Sequence, residues 1–487
     1  MDVPVGASYH QDMGRMLSTK QPPTMGTSRP APSVQATANP DVNLQRPKFI
    51  PPLPEETSGL RRLAFYFCLA CIFLRFSFLS EALASSVGNT YLIYFAAPFA
   101  IVGSFATGGW QRTFRSKAAV FLLLFFIWMA IAAIFSSWRG GSFERVRSYG
   151  QNELFMLIVV GGLVVGWKEI RLVFHTLALS GLVVLIVARV FLRSDGGRFS
   201  LDFAGTIANA NDLATHVLLL LPFMLYVVMD KKAMFLMRLL YAAAIPYSLY
   251  IVLGTASRGC LLGLAGGALF WFLRAPMKQK MLAVILLPML LVPALALLPK
   301  QTFDRLNTLS GKRNEEADES AASRSYLFYK GVEFTLQRPL FGVGPDQFAN
   351  FEGASSRAAG QHGNWHQTHC TWVQISSECG IPALLFFLLA VGGAFFMVNK
   401  CYKQARRLKN DEIANACFCY MLASVFFYIS ITFLSNGYTF RQPAFIGLAI
   451  AMFFAMQRMM FVNATHQRNL AAVPVQVESP RLRLAAD

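Results

Sequence analysis

Apolar runs of roughly seventeen to twenty residues recur along this chain, and a run of that length is the signature of a membrane-spanning helix. They fall at 62–80, 91–107, 117–136, 153–166, 172–192, 210–229, 234–253, 259–273, 281–298, 383–399, 413–434 and 441–461. The sequence therefore predicts an all-α, polytopic membrane protein of about twelve transmembrane helices. Only 14% of the residues are charged, where a soluble chain carries about a quarter. The run at 153–166 is short for a crossing and reads as a tilted or re-entrant piece.

A net charge of +18 invites a nucleic-acid reading, but the basic residues form no single face. They sit between the apolar runs. Arg112, Arg115 and Lys117 follow the second run, Lys168 and Arg171 the fourth, and Lys231 and Lys232 the sixth. Arg274, Lys278 and Lys280 follow the eighth, and Lys400, Lys403, Arg406, Arg407 and Lys409 the tenth. Basic loops after the even-numbered runs are cytoplasmic by the positive-inside rule. Both termini are then cytoplasmic, the bilayer is the partner, and no nucleic acid is expected. Residues 1–60, rich in Pro, Ser, Thr and Gln, and 464–487, with Pro474 and Pro480, read as disordered cytoplasmic tails. The first of these lacks an apolar core with a cleavage site and does not read as a signal peptide.

This organisation leaves 61–298 for helices one to nine and 383–463 for helices ten to twelve. Between them lies by far the longest connection, 299–382, on the outer face; a loop of such length is usually functional. Local helical patterns such as Ser323 to Leu336 make it a small, mainly helical external domain. It holds His362, His366 and His369. A histidine facing water here exchanges protons near neutral pH, though each is also readable as an ordinary surface histidine. Cys370 and Cys379, nine residues apart on one helical segment, point apart and are not expected to pair. No Cys/His set has zinc spacing, and no cofactor is expected.

Arginine is anomalously frequent on the same face: Arg139, Arg145 and Arg147 follow the third run, and Arg193 and Arg198 the fifth. Arg139 and Arg193 read most simply as headgroup contacts or surface ion pairs. Arg258 differs, because it stands between Leu253 and Leu261–Leu262 among small residues, close to the hydrophobic region. A boundary arginine facing a cavity usually has an anionic partner, and its planar fork suits phosphate. In 205–214 two asparagines and an aspartate open the sixth helix, where Asn209 or Asn211 is a natural cap.

Three segments resemble the bacterial O-antigen ligase and polymerase superfamily. The stretch Arg338-Pro-Leu-Phe-Gly-Val-Gly-Pro-Asp-Gln-Phe348 is followed by His369-Cys-Thr-Trp-Val-Gln-Ile-Ser-Ser-Glu-Cys-Gly-Ile-Pro382. Ser257-Arg258-Gly259 and the Asn-x-Asn pattern at Asn209 to Ala214 are similar to further pieces of that family. The resemblance covers roughly 198–400. It implies that His369 is the catalytic base, that Arg258 holds the donor pyrophosphate, and that Arg198 is a second such arginine. His366, Arg324 and Asn211 are additional candidates. Cys370, Trp372 and Asp346 depart from the pattern, standing where Asn, Tyr and Gly are common.

The resemblance implies a metal-independent glycosyltransferase in the bacterial inner membrane. Its donor would be an undecaprenyl-pyrophosphate-linked glycan, and its acceptor a glycan or lipid A-core hydroxyl at the periplasmic face. A polymerase that extends O-antigen or exopolysaccharide on the carrier is the close alternative, and a flippase the more distant one. The topology is tested by labelling: a cysteine placed at Gly311 should react with an impermeant thiol reagent in whole cells. Protection at Gly311 with labelling of the 400–410 loop would reverse the orientation.

Overall fold

The computed structural model describes residues 58–472, apart from 89–90, 196, 204, 276, 278–279, 282–288, 290–291, 293–295, 297–299, 301 and 303–314. The described residues fall within one compact unit, Ile50–Asp487. Most of the expected N-terminal tail, nearly all of the ninth run, the start of the long loop and the tail beyond 472 lie outside the described residues.

The described chain is helical apart from one hairpin. In chain order the helices are α1 (Gly59–Ser77), α2 (Leu79–Val87), α3 (Leu92–Ala106), α4 (Gly109–Phe114), α5 (Lys117–Ile134) and α6 (Arg139–Ser148). A π-helical turn (Tyr149–Leu154) then leads into α7 (Phe155–Leu163), which is followed by α8 (Trp167–Phe191). The antiparallel hairpin of β1 (Leu192–Asp195) and β2 (Arg198–Leu201) precedes α9 (Ala210–Met229), α10 (Phe235–Gly254) and α11 (Arg258–Arg274). Beyond the undescribed stretch come α12 (Glu315–Gln337), α13 (Phe348–Ala358), α14 (Thr371–Arg407), α15 (Asp411–Ser430) and α16 (Arg441–Ala472).

Seven of these helices are long and apolar enough to cross a membrane, and α1 with α2, bent by 57°, makes an eighth candidate. The expected helical membrane architecture is borne out, while the count of twelve is not. Several runs form helices too short to cross alone: α3 has 15 residues and α7 nine. The 153–166 run is the end of a longer composite helix that starts at Arg139 and passes through the π turn. The hairpin at 192–201 was not expected, because its alternation is too brief to stand out beside the apolar runs. Helix starts follow local chemistry: Ser116 accepts from Ala118 N, and Asn410 from Ile413 N.

The helix that carries the tenth run, 383–399, begins at Thr371. Residues 371–379 form a buried helical half that is broken from the rest at Gly380 (φ 86°, ψ 171°), two residues before Pro382. The break lets the 339–345 loop dock along it. Val343 N–H donates to Ser377 O at 2.8 Å, Gly344 N–H to Glu378 O at 2.9 Å, and Ile381 N–H to Pro339 O at 2.8 Å. The Trp128 indole N–H reaches both Leu340 O (3.0 Å) and Cys379 O (3.1 Å), locking this junction to α5. The two loop motifs read from the sequence are thus two sides of one backbone contact. Asp346, where glycine is common in the family, has φ 61°; aspartate tolerates that left-handed backbone, so the departure preserves the turn.

A Cβ on Gly380 would stand 2.1 Å from Leu340 O, in a conformation open essentially only to glycine. Gly380→Ala should destabilise the protein by about 1–3 kcal/mol from the backbone alone, with the clash added. Thermal unfolding in detergent measures this; an unchanged midpoint would show that the loop does not dock there.

Candidate active site

Three segments meet around His369. The Ser435 hydroxyl accepts from His369 N–H at 3.0 Å. Thr371 Oγ1 donates to Leu434 O at 2.7 Å and accepts from Asn436 N–H at 3.0 Å, while Gln374 Oε1 accepts from Gly437 N–H at 3.0 Å. The strap 434–437 is in this way tied rung by rung to the start of α14. From the other side, the Asn436 amide donates to Asp212 Oδ1 at 3.0 Å, which adds the first turn of α9. His369 itself sits at φ 52°, an unusual backbone for a residue other than glycine.

His369 is half-buried, and its imidazole is held down to about 4. Burial is the largest cause, followed by the charges of Arg324 and His366; Asp212 opposes them. It is therefore a neutral, proton-accepting imidazole across the physiological range, not the half-protonated one its ordinary value of about 6.5 suggests. His366, three residues earlier, is exposed.

The arginines form a neighbouring cluster. Arg198 Nε donates to Thr255 O at 3.0 Å, and its Nη2 to Asn211 Oδ1 at 2.7 Å. The ring of Phe199, next on β2, lies against Gly254, so the hairpin is fastened onto the turn that precedes Arg258. Asn209, not Asn211, is the cap of α9, accepting from Asn211 N and Asp212 N at 3.0 Å each. That leaves the Asn211 side chain for Arg198. Arg258 is exposed at the first position of α11. A cation there opposes the helix dipole, a placement that an incoming anion reverses. Arg193, read as a surface ion pair, meets Asp202 at 3.3 Å in the open.

The two clusters share a support. Gly259 lies against the side chain of Phe433 and Gly263 against Ser430, while Ser435 of the same segment holds His369. Arg198 and Asn211 are brought into contact, and Arg324 and His366 into the field of His369.

Beside this strap lies a cavity of about 690 Å³, which none of the six sequence candidates lines. Its walls include Arg75, Arg145, Glu153 and Asp346, with Gln367, Gln374, Ser435 and Asn436 from the segments that flank His369. Arg441 is wholly buried against Phe78 and Phe440 of this lining. Arg441 Nε donates to His216 Nδ1 at 3.2 Å, and His216 Nε2 donates to Phe76 O at 2.7 Å, which sets the tautomer. Sequence reasoning passed over Arg75 and Arg441. The signal was present: Arg75 interrupts the first apolar run, and an intramembrane charge is a functional-site hypothesis by default.

A family model described as O-antigen ligase matches residues 242–388, less than a third of the chain. The matched stretch contains Arg258, Arg324, His366 and His369, and lies outside Arg198 and Asn211. The resemblance drawn from the motifs is borne out: this is a multi-pass membrane protein similar to the O-antigen ligase superfamily. The class points to a membrane glycosyltransferase-like ligase or polymerase that works on lipid-linked glycans. Comparison with curated proteins found no match.

Proposed function

We propose that this protein is an O-antigen ligase-like glycosyltransferase of the bacterial inner membrane. It transfers a glycan from an undecaprenyl-pyrophosphate carrier to an acceptor hydroxyl at the periplasmic face. The observation that carries the reading is the shared 430–436 support, which holds a neutral imidazole on one side and the Arg258 helix on the other. In this reading the 299–382 domain is a periplasmic cap and both termini are cytoplasmic.

The chemistry follows from the groups present. Arg258 and Arg198 grip the pyrophosphate and offset the charge that develops on it. The acceptor oxygen attacks the anomeric carbon, the bond from that carbon to the phosphate oxygen breaks, and its electron pair leaves with the carrier pyrophosphate. His369 takes the acceptor proton. With a folded-state value near 4, His369 is already a free base, and a bound diphosphate raises its proton affinity during the reaction. A polymerase would differ only in the acceptor, a second carrier-linked glycan.

The test is turnover of a defined carrier-linked glycan by the reconstituted full chain. Arg258→Ala should cost about thirty- to a thousandfold, the equivalent of about 2–4 kcal/mol of contact to phosphate. Arg258→Lys should retain part of the rate, because a point charge lacks the fork. His369→Ala should slow the chemical step by about a hundred- to ten-thousandfold with donor binding kept, and His366→Ala should matter less. The acid limb of kcat/KM should fall near pH 4, since protonation removes the base. Wild-type turnover by Arg258→Ala, or full activity of His369→Ala, would remove that residue from the site.

A further inference from the structure

The cavity beside the strap is an open cleft with a polar lining, and at about 690 Å³ it has the size of a small-molecule site. Two arginines reach it with no carboxylate at ion-pair distance among the described residues. Arg145 Nη2 donates to Tyr438 O at 2.6 Å, and Arg75 Nη2 to Asn152 O at 2.9 Å. The Nε of each makes no hydrogen bond among the described residues, nor does Gln367 Oε1 or Glu153 Oε2.

The balance of charge decides what fits. The lining holds two arginines against three carboxylates, Glu81, Glu153 and Asp346. With Arg441 buried against Phe78 and Phe440 of the same lining the two signs balance, and such a wall suits a neutral saccharide better than a strongly charged anion. The vicinal hydroxyls of a saccharide both donate and accept, so they suit a wall that mixes guanidinium, carboxylate and amide groups. Aromatic faces belong to the same inventory, and exposed Tyr91 and Tyr94 stand on the wall of the cavity with ring centroids 6.0 Å apart. A second hollow of about 530 Å³ shares Arg75, Ile93 and Tyr94 with the first and runs along Pro98 and Ile101 of α3. The space therefore continues from the strap along an apolar helix.

We infer that this cavity is the acceptor site, and that it binds the sugar whose hydroxyl is glycosylated. The inference rests on the glycosyl-transfer reading above. Gln367 and Gln374 lie two residues before and five residues after His369, and Ser435, also on the wall, holds the His369 backbone. A sugar seated against them lies next to the segment that carries His369, and Arg145 and Gln367 set acceptor specificity.

The test uses the full chain in nanodiscs, an undecaprenyl-pyrophosphate trisaccharide as donor, and the free trisaccharide as acceptor probe. Arg145→Gln and Gln367→Leu are read separately, so that a folding defect in one does not decide the outcome. Each should weaken use of, or competition by, the free trisaccharide by about ten- to a hundredfold, while the donor KM stays within about twofold. A raised donor KM with unchanged trisaccharide affinity overturns the assignment, as does no change in either variant. A wild-type chain that consumes no donor contradicts the glycosyl-transfer reading itself, and the acceptor site with it.

Discussion

One buried carboxylate holds the working parts together. Glu378 Oε2 accepts from Asp346 N–H at 3.0 Å and from the Tyr438 hydroxyl at 2.7 Å, and its Oε1 accepts from Phe348 N–H at 3.3 Å. The loop motif, the helical half that carries the site, and the lead-in to the last helix therefore converge on a single wholly buried side chain. A buried acid of this kind is tolerated only when its lone pairs are used. Here each oxygen has a partner, and each partner comes from a segment that needs placing. Tyr438 extends the link, since its carbonyl receives Arg145. The backbone around Gly380 and the strap that holds His369 are positioned from the same node.

Around that node the structure separates two kinds of polar wall. On the side of α9 and α11, arginine is paired with amide and carbonyl oxygens and stands at a helix N-terminus, an arrangement suited to phosphate. On the side of α1, α2 and the π turn, arginine is mixed with carboxylates and tyrosines, an arrangement suited to sugar hydroxyls. His369 is tied to the strap, kept neutral by burial and by the charge of Arg324.

Much of this was legible in the sequence. The apolar runs gave the helical membrane class, and the pairing of the Pro-Leu-x-Gly-x-Gly-Pro and Glu-x-Gly stretches foreshadowed one site, because glycines at fixed offsets mark close backbone approach. Arg198 and Asn211 were named separately and proved to be partners at 2.7 Å. What was not legible has physical reasons. Hydropathy does not see that the helix carrying the tenth run continues back past the Gly380 break to Thr371. Arg75 is embedded in the first apolar run and Arg441 opens the last, where a window average dilutes a single charge. The cavity is made by residues from five distant stretches, and no local pattern encodes that juxtaposition.

The central claim is that the carrier pyrophosphate sits on the arginine side of the strap with its first sugar facing His369. A cryo-electron microscopy map of the full chain bound to an undecaprenyl-pyrophosphate glycan tests it most directly. The account expects diphosphate density within hydrogen-bonding reach of Arg258 and Arg198. It expects the anomeric carbon of the first sugar on the His369 side, and no phosphate in the cavity lined by Arg75 and Arg145. Diphosphate density in that cavity, with Arg258 and Arg198 left facing solvent or lipid, would contradict it.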